Sequence, residues 1–421
     1  MKNRYLLISL ALTSTLSCGL AQAQQATLRV FTGGSNQRPD LMRQLFDKYQ
    51  SITPGVKVKV EVETGGSTSE LQRQYLSTVL NAKDSTLDIY IIDIVNPAQY
   101  FTAGWLEPLD AYIGGPEVLK PYLPAYAHSN VVKGKVVAMP AFADAMFMYY
   151  RKDLLEKYGI AEPKTWDELS AAALKIKAGE KDPNLQGLSL QGAPIEGAVC
   201  TFMLPYWSAG KSFSDANGQL TLDKTTAAKG MNMWLKLVDD GVVKKNVAEV
   251  KTPDTVNEFK AGQVVFGISW GFAWNSFQEN ADSKVKGKVG VMPLPAVAGG
   301  KSATCLGGWQ WAVSAFSKNK AEAANLVKFI SSPEASKFLA AEGALLPTYE
   351  SVYTDPEVLK NAPWFKDAAT VVSSAQSRPV TPRYGEVSDV LRTTTSAILA
   401  RTKTAEEGVA DIEGRLKRVM R

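Results

Sequence analysis

Between residues 27 and 91 the spacing of apolar side chains switches repeatedly between a period of two and a period near 3.6. This alternation constrains the fold more than any single motif. Residues 27–31 (TLRVF) read as a short strand, and residues 41–49 place Leu41, Leu45, Phe46 and Tyr49 at helical spacing. Residues 56–62 (VKVKVEV) alternate strictly, as a half-exposed strand does. A second amphipathic helix over 69–80 gathers Leu71, Tyr75, Leu76, Val79 and Leu80 on one side, and 87–91 (LDIYI) is a third strand rich in β-branched and aromatic residues. Strand, helix, strand, helix, strand predicts an α/β domain with a parallel sheet. In such a sheet, ligands bind beyond the carboxyl ends of the strands, here residues 32–37, 64–68 and 93–96.

The pattern continues along the chain. Thr165-Trp166-Asp167-Glu168 has the S/T-x-x-E form of a capping box and opens a helix. Residues 229–238, 256–262, 321–330, 387–400 and 405–420 read as helices, with 264–268, 289–294 and 311–316 as strands. No internal repeat or low-complexity linker separates these elements, which favours two lobes joined by several crossings over separate beads.

Composition narrows the function. With 45% hydrophobic and 21% charged residues, the chain can bury enough apolar surface to fold. The net charge of +5, without a basic stripe interleaved with aromatics, argues against a nucleic-acid partner. A lone histidine, His128, excludes His-rich zinc sites and the HExxH protease signature. Residues 1–23 read as a signal peptide: Lys2 and Arg4, a short apolar run over 6–16, then Ala21-Gln22-Ala23 as a small-x-small cleavage site. The rival reading is a lipoprotein signal acylated at Cys18, to which Thr15 and Leu16 are a poorer match. Export is expected on either reading. Cys200 and Cys305 then remain; they either pair as a disulfide or stand as two buried thiols, and spacing alone does not choose.

Several aromatics sit beside glycine or proline, in Trp270-Gly271-Phe272-Ala273-Trp274, Gly307-Gly308-Trp309-Gln310-Trp311 and Pro205-Tyr206-Trp207. An aromatic face covers the C–H face of a sugar while neighbouring polar groups bind its hydroxyls. Taken singly, each tryptophan is as well explained by packing, and loop aspartates such as Asp93 and Asp144 by helix capping. From composition alone, a secreted two-lobe binding protein and a hydrolase both remain.

Residues 88–112 (DIYIIDIVNPAQYFTAGWLEPLDAY), 139–158 (MPAFADAMFMYYRKDLLEKY), 163–169 (PKTWDEL), 259–277 and 307–314 resemble solute-binding proteins of ABC sugar importers. Gln191-Gly192 with Glu196-Gly197, Leu306-Gly307-Gly308-Trp309 and Arg378-Pro379-Val380-Thr381-Pro382 are most similar to trehalose/maltose-binding members. The resemblance implies a periplasmic-binding-protein-like α/β fold: two α/β lobes, a hinge and a central ligand cleft. It divides the chain into a signal peptide (1–23), an N-terminal lobe (24–139 plus about 287–347) and a C-terminal lobe (about 140–286 plus 348–421). Asp93, Asp144 and Glu196 are then expected to accept sugar hydroxyls, Trp270 and Trp309 with the Gly307-Gly308 backbone to wall the site, and Arg378 to donate, with Arg383 as a second basic candidate. Gln37 and Ser67, in the first two strand-end loops, complete the expected contacts.

The resemblance further implies a periplasmic, monomeric receptor that closes on a glucose-containing disaccharide or small oligosaccharide and delivers it to ABC permease membrane subunits, with no catalysis, cofactor or metal. Ile94-Val95-Asn96 after Asp93, the amides of Asn36 and Gln37, and Ile195 before Glu196 depart from the trehalose/maltose pattern where ring number would be set. A receptor for another solute and a secreted glycosidase are the alternatives.

Overall fold

The computed structural model describes residues 26–61, 68–215 and 219–420. The signal segment, Cys18 and Ser67 lie outside the described residues. Among the described residues, nine strands form one mixed sheet: β1 (Ala26–Phe31), β2 (Val56–Glu61), β3 (Ile89–Asp93), β4 (Met139–Arg151), β5 (Gln186–Ser189), β6 (Val264–Trp270), β7 (Val289–Met292), β8 (Thr304–Val313) and β9 (Ala375–Gln376). The main path runs β2-β1-β3-β8-β4-β6-β5, with β7 paired to β4 and β9 to β8. The expected parallel pairing of the opening strands is present, β1 lying parallel to both β2 and β3.

Two long strands unite the sheet. The first half of β4 pairs antiparallel with β8, and its second half, from Met146, pairs with β6 and β7. β8 in turn reaches β3 through Trp309 to Val313. The strand expected over 311–316 therefore begins earlier and ends at Val313. Gly307, Gly308 and Trp309, which precede the expected strand in sequence, lie inside the observed one. A bulge at Trp309/Gln310 and a φ of 126° at Gly308 give this stretch its irregular backbone.

Helices cover the sheet as their periodicity predicts. Helix α1 (Pro39–Ile52) buries Leu41, Met42, Leu45, Phe46 and Tyr49 against the β1–β3 side. Helix α2 (Ser69–Asn81) follows Thr68, whose hydroxyl caps Leu71 N–H. The capping box at Thr165 forms, with Glu168 N–H donating to its hydroxyl at 3.3 Å and Glu168 Oε2 accepting from Thr165 N–H at 3.1 Å. Helix α3 (Glu196–Ser208) is buried along its whole length, which fits its apolar sequence on every face. Helix α4 (Tyr384–Leu399) packs against α3. One apolar core gathers α1, β1 and β3; another gathers α3, α4 and the inner face of β6. Tyr349 and Trp364 join the first, against Tyr122 and Phe147. No helix among the described residues is long and apolar enough to cross a membrane.

Candidate functional site

A cleft forms where the ends of β3, β6 and the first turn of α3 face the middle of β4 and β8. Its lining includes Gln37, Asp93, Asp144, Glu196, Trp270, Gly307, Gly308, Trp309 and Arg378. Nine residues singled out in sequence, spread over more than three hundred positions, thus share one cavity.

Asp93 ends β3, opposite Trp309 in the ladder. Its Oδ1 accepts from Arg378 Nη2 at 2.7 Å, and its Oδ2 from Ser69 Oγ at 2.8 Å and Arg378 Nη1 at 3.3 Å. Glu196 opens α3. Its Oε1 accepts from Arg378 Nη1 at 3.0 Å and from the Tyr384 hydroxyl; its Oε2 accepts from Ser388 Oγ at 2.7 Å and Arg73 Nη1 at 3.5 Å. Burial works to raise the Glu196 carboxyl, but the charges of Arg378 and Arg73 and the two hydroxyls outweigh it and hold the group below its ordinary value. Arg378 is only 3% exposed, so this is a buried ion cluster whose members depend on one another.

Asp144 differs. It lies in β4 opposite Gly307, and its Oδ1 accepts from Gly271 N–H at 2.7 Å and Ala145 N–H at 2.8 Å. Among the described residues no donor reaches its Oδ2. Burial pushes its carboxyl up to about 7, against the pull of the two backbone donors. Asp144 is thus a cleft carboxyl with one oxygen that accepts from no donor among the described residues.

The aromatic walls depend on glycine. Trp270, at the end of β6, lies so close over Gly307 that a Cβ there would sit 2.5 Å from its ring. A Cβ on Gly308 would sit 2.6 Å from the Tyr126 ring. Gln37 is buried at the end of a short 3-10 turn and accepts from Gln72 Nε2 at 3.3 Å. Arg383 does not line the cleft: it precedes α4, is half-exposed, and donates to Glu386 at 2.8 Å. Cys200 and Cys305 are joined by a disulfide.

Other cleft residues escaped the sequence reading: Ser69 and Glu70 at the start of α2, Phe142, Phe272, Thr252 and Pro253. Glu70 accepts from the backbone N–H of Glu196, and burial, with the Glu196 charge, raises its carboxyl. A polar first turn beside a strand-end loop was the available signal, but it does not separate Ser69 and Glu70 from ordinary helix-start residues.

A mixed sheet crossed by two long strands, with an aromatic and carboxylate-lined cleft at the crossing, defines an α/β solute-binding receptor. The sequence profile described as bacterial extracellular solute-binding protein matches residues 33–337, and the chain belongs to that family. It is 36% identical over 370 residues to a probable ABC transporter-binding protein of Deinococcus radiodurans, covering 86% of each chain. It is 24% identical over 328 residues to the mannitol-binding protein of Pseudomonas aeruginosa, covering 76% of this chain and 72% of that one. Among solved structures, maltose-bound T. maritima MalE3 superposes with a TM-score of 0.85 at 32% identity, covering 93% of this chain and 99% of that one. The fold is periplasmic-binding-protein-like.

Proposed function

We propose that this chain is the periplasmic sugar receptor of an ABC importer, taking a glucose-containing disaccharide or small oligosaccharide of the trehalose/maltose type. The observation that carries the reading is the meeting, in one cleft, of the Trp270 and Trp309 indoles with the open Oδ2 of Asp144. Indole faces suit the C–H faces of pyranose rings, and a cleft-facing carboxyl oxygen without a donor among the described residues suits a hydroxyl. Arg378, held by Asp93 and Glu196, presents a fixed guanidinium edge beside them. Maltose in MalE3 supports the sugar class, and the Deinococcus relative supports the transporter assignment.

The receptor works as a monomer by hinge closure. On the expected division, 24–139 plus about 287–347 against about 140–286 plus 348–421, the lobes close about β4 and β8, which pair across it. Ligand favours the closed form only by its differential affinity for it, so wall residues from both sides must touch the sugar together. The closed surface is then read by the permease subunits, and the exported chain reaches them in the periplasm. A glycosidase reading that pairs Asp93 with Asp144 has less support, because both oxygens of Asp93 already accept from protein donors.

Titration calorimetry with glucose, trehalose, maltose, sucrose and longer maltodextrins tests the proposal. Saturable binding of at least one is expected; silence across the panel removes the sugar assignment.

A further inference from the structure

The disulfide stands at a node of the cleft. Cys200 lies one turn beyond Glu196 on α3, at the i+4 position and therefore on the same face of the helix. On β8, Cys305 is followed by Leu306, whose carbonyl accepts from Arg378 Nη2 at 3.4 Å, and then by Gly307, Gly308 and Trp309. Cys305 also pairs with Gln376 of β9, two residues before Arg378. Three elements that each carry a wall residue within four positions thus meet at one covalent bond. Both sulfurs are fully buried.

Other contacts hold the body of α3 in place, since it packs against α4 and the helix Lys224–Asp239. Its first turn reaches β8 through Arg378, which donates to Glu196 Oε1 and to the Leu306 carbonyl, and covalently through the disulfide. The Glu196–Arg378 contact joins residues 182 positions apart, and a charge-assisted hydrogen bond weakens steeply with small displacements.

We propose that the Cys200–Cys305 disulfide is a positioning element of the ligand site, pinning the first turn of α3 to β8 so that Glu196 keeps Arg378 oriented across the cleft. Its affinity consequence rests on the sugar-receptor reading; its structural consequence does not.

The test is a double-mutant cycle between Cys200→Ala/Cys305→Val, which approximately refills the volume, and Glu196→Gln. With a sugar that binds the wild type, each change alone is expected to weaken binding about tenfold, and the combination no more than about twofold beyond the weaker-binding parent. Losses that multiply, or an unchanged affinity beside a lowered melting temperature, overturn the proposal.

If no sugar binds, the receptor reading fails and hydrogen exchange of the ligand-free protein decides the proposal. Amides of 196–199 and 306–309 should exchange about tenfold faster in the cysteine variant, with Lys320–Ile330 unchanged. Uniform acceleration across the chain would make the bond a general stabiliser and overturn the inference. Should the variant not fold, wild-type protein folded oxidised and then reduced with a phosphine provides the same exchange comparison.

Discussion

Asp144 shows how one residue couples stability to ligand chemistry. Its folded carboxyl is raised to about 7 by burial, from an ordinary value of 3.8. Between these values the folded state holds a proton that the unfolded state has released, so stability is full below about pH 4 and is lost as pH rises towards 7. Asp144→Asn keeps an acceptor for Gly271 and Ala145 N–H without the charge. Urea unfolding should show it more stable than wild type at pH 8, by up to about 4 kcal/mol, and equal at pH 4. Its sugar affinity should fall about tenfold, because the amide replaces an acceptor oxygen with a donor. Equal pH dependence of the two proteins would contradict this assignment. Gly307→Ala belongs to the same scale: with its Cβ 2.5 Å from the Trp270 ring, it should displace the indole. The expected cost is about 1–3 kcal/mol of stability together with weakened binding, read by melting and calorimetry.

At the scale of elements, Arg378 is the joint between β3, α3 and the segment after β9. Arg378→Met leaves Asp93 and Glu196 buried without their main cation, which should cost about 3–5 kcal/mol at pH 7. Glu196 is held below its ordinary value in the folded protein, so the stability it contributes is present at neutral pH and lost as pH falls through its folded value. The penalty measured by urea unfolding should therefore shrink in acid; a penalty independent of pH would locate the role of Arg378 in packing instead. Arg378→Lys should rescue only part of it, since an ammonium cannot serve both Asp93 oxygens and Glu196 with one planar fork.

For the whole molecule, the expectation is mass-action stabilisation with closure. Sugar at a hundredfold excess over its Kd should stabilise the protein by about 2.7 kcal/mol, seen as a rise in melting temperature. Small-angle scattering should show the radius of gyration unchanged or smaller with ligand, and an increase would contradict hinge closure. The relation of this architecture to its sequence is uneven. The β1-α1-β2-α2-β3 order, the capping box at Thr165 and most of the wall residues were legible, because periodicity and capping are local and the family motifs are contiguous. Ser69, Glu70 and Arg73 were not, since a polar helix start carries no mark of what it faces.

By itself the sequence determined the α/β alternation, the capped helices, and the residue types able to line a sugar site. All of these follow from apolar spacing and side-chain chemistry over a few turns. Only the tertiary structure decided that Gly307-Gly308-Trp309 lies within a strand, that Asp93 and Glu196 share Arg378 while Asp144 keeps an open oxygen, and that Arg383 turns to Glu386 outside. A buried charge takes whichever partners surround it when water is excluded, and those partners are 285 and 182 positions away along the chain.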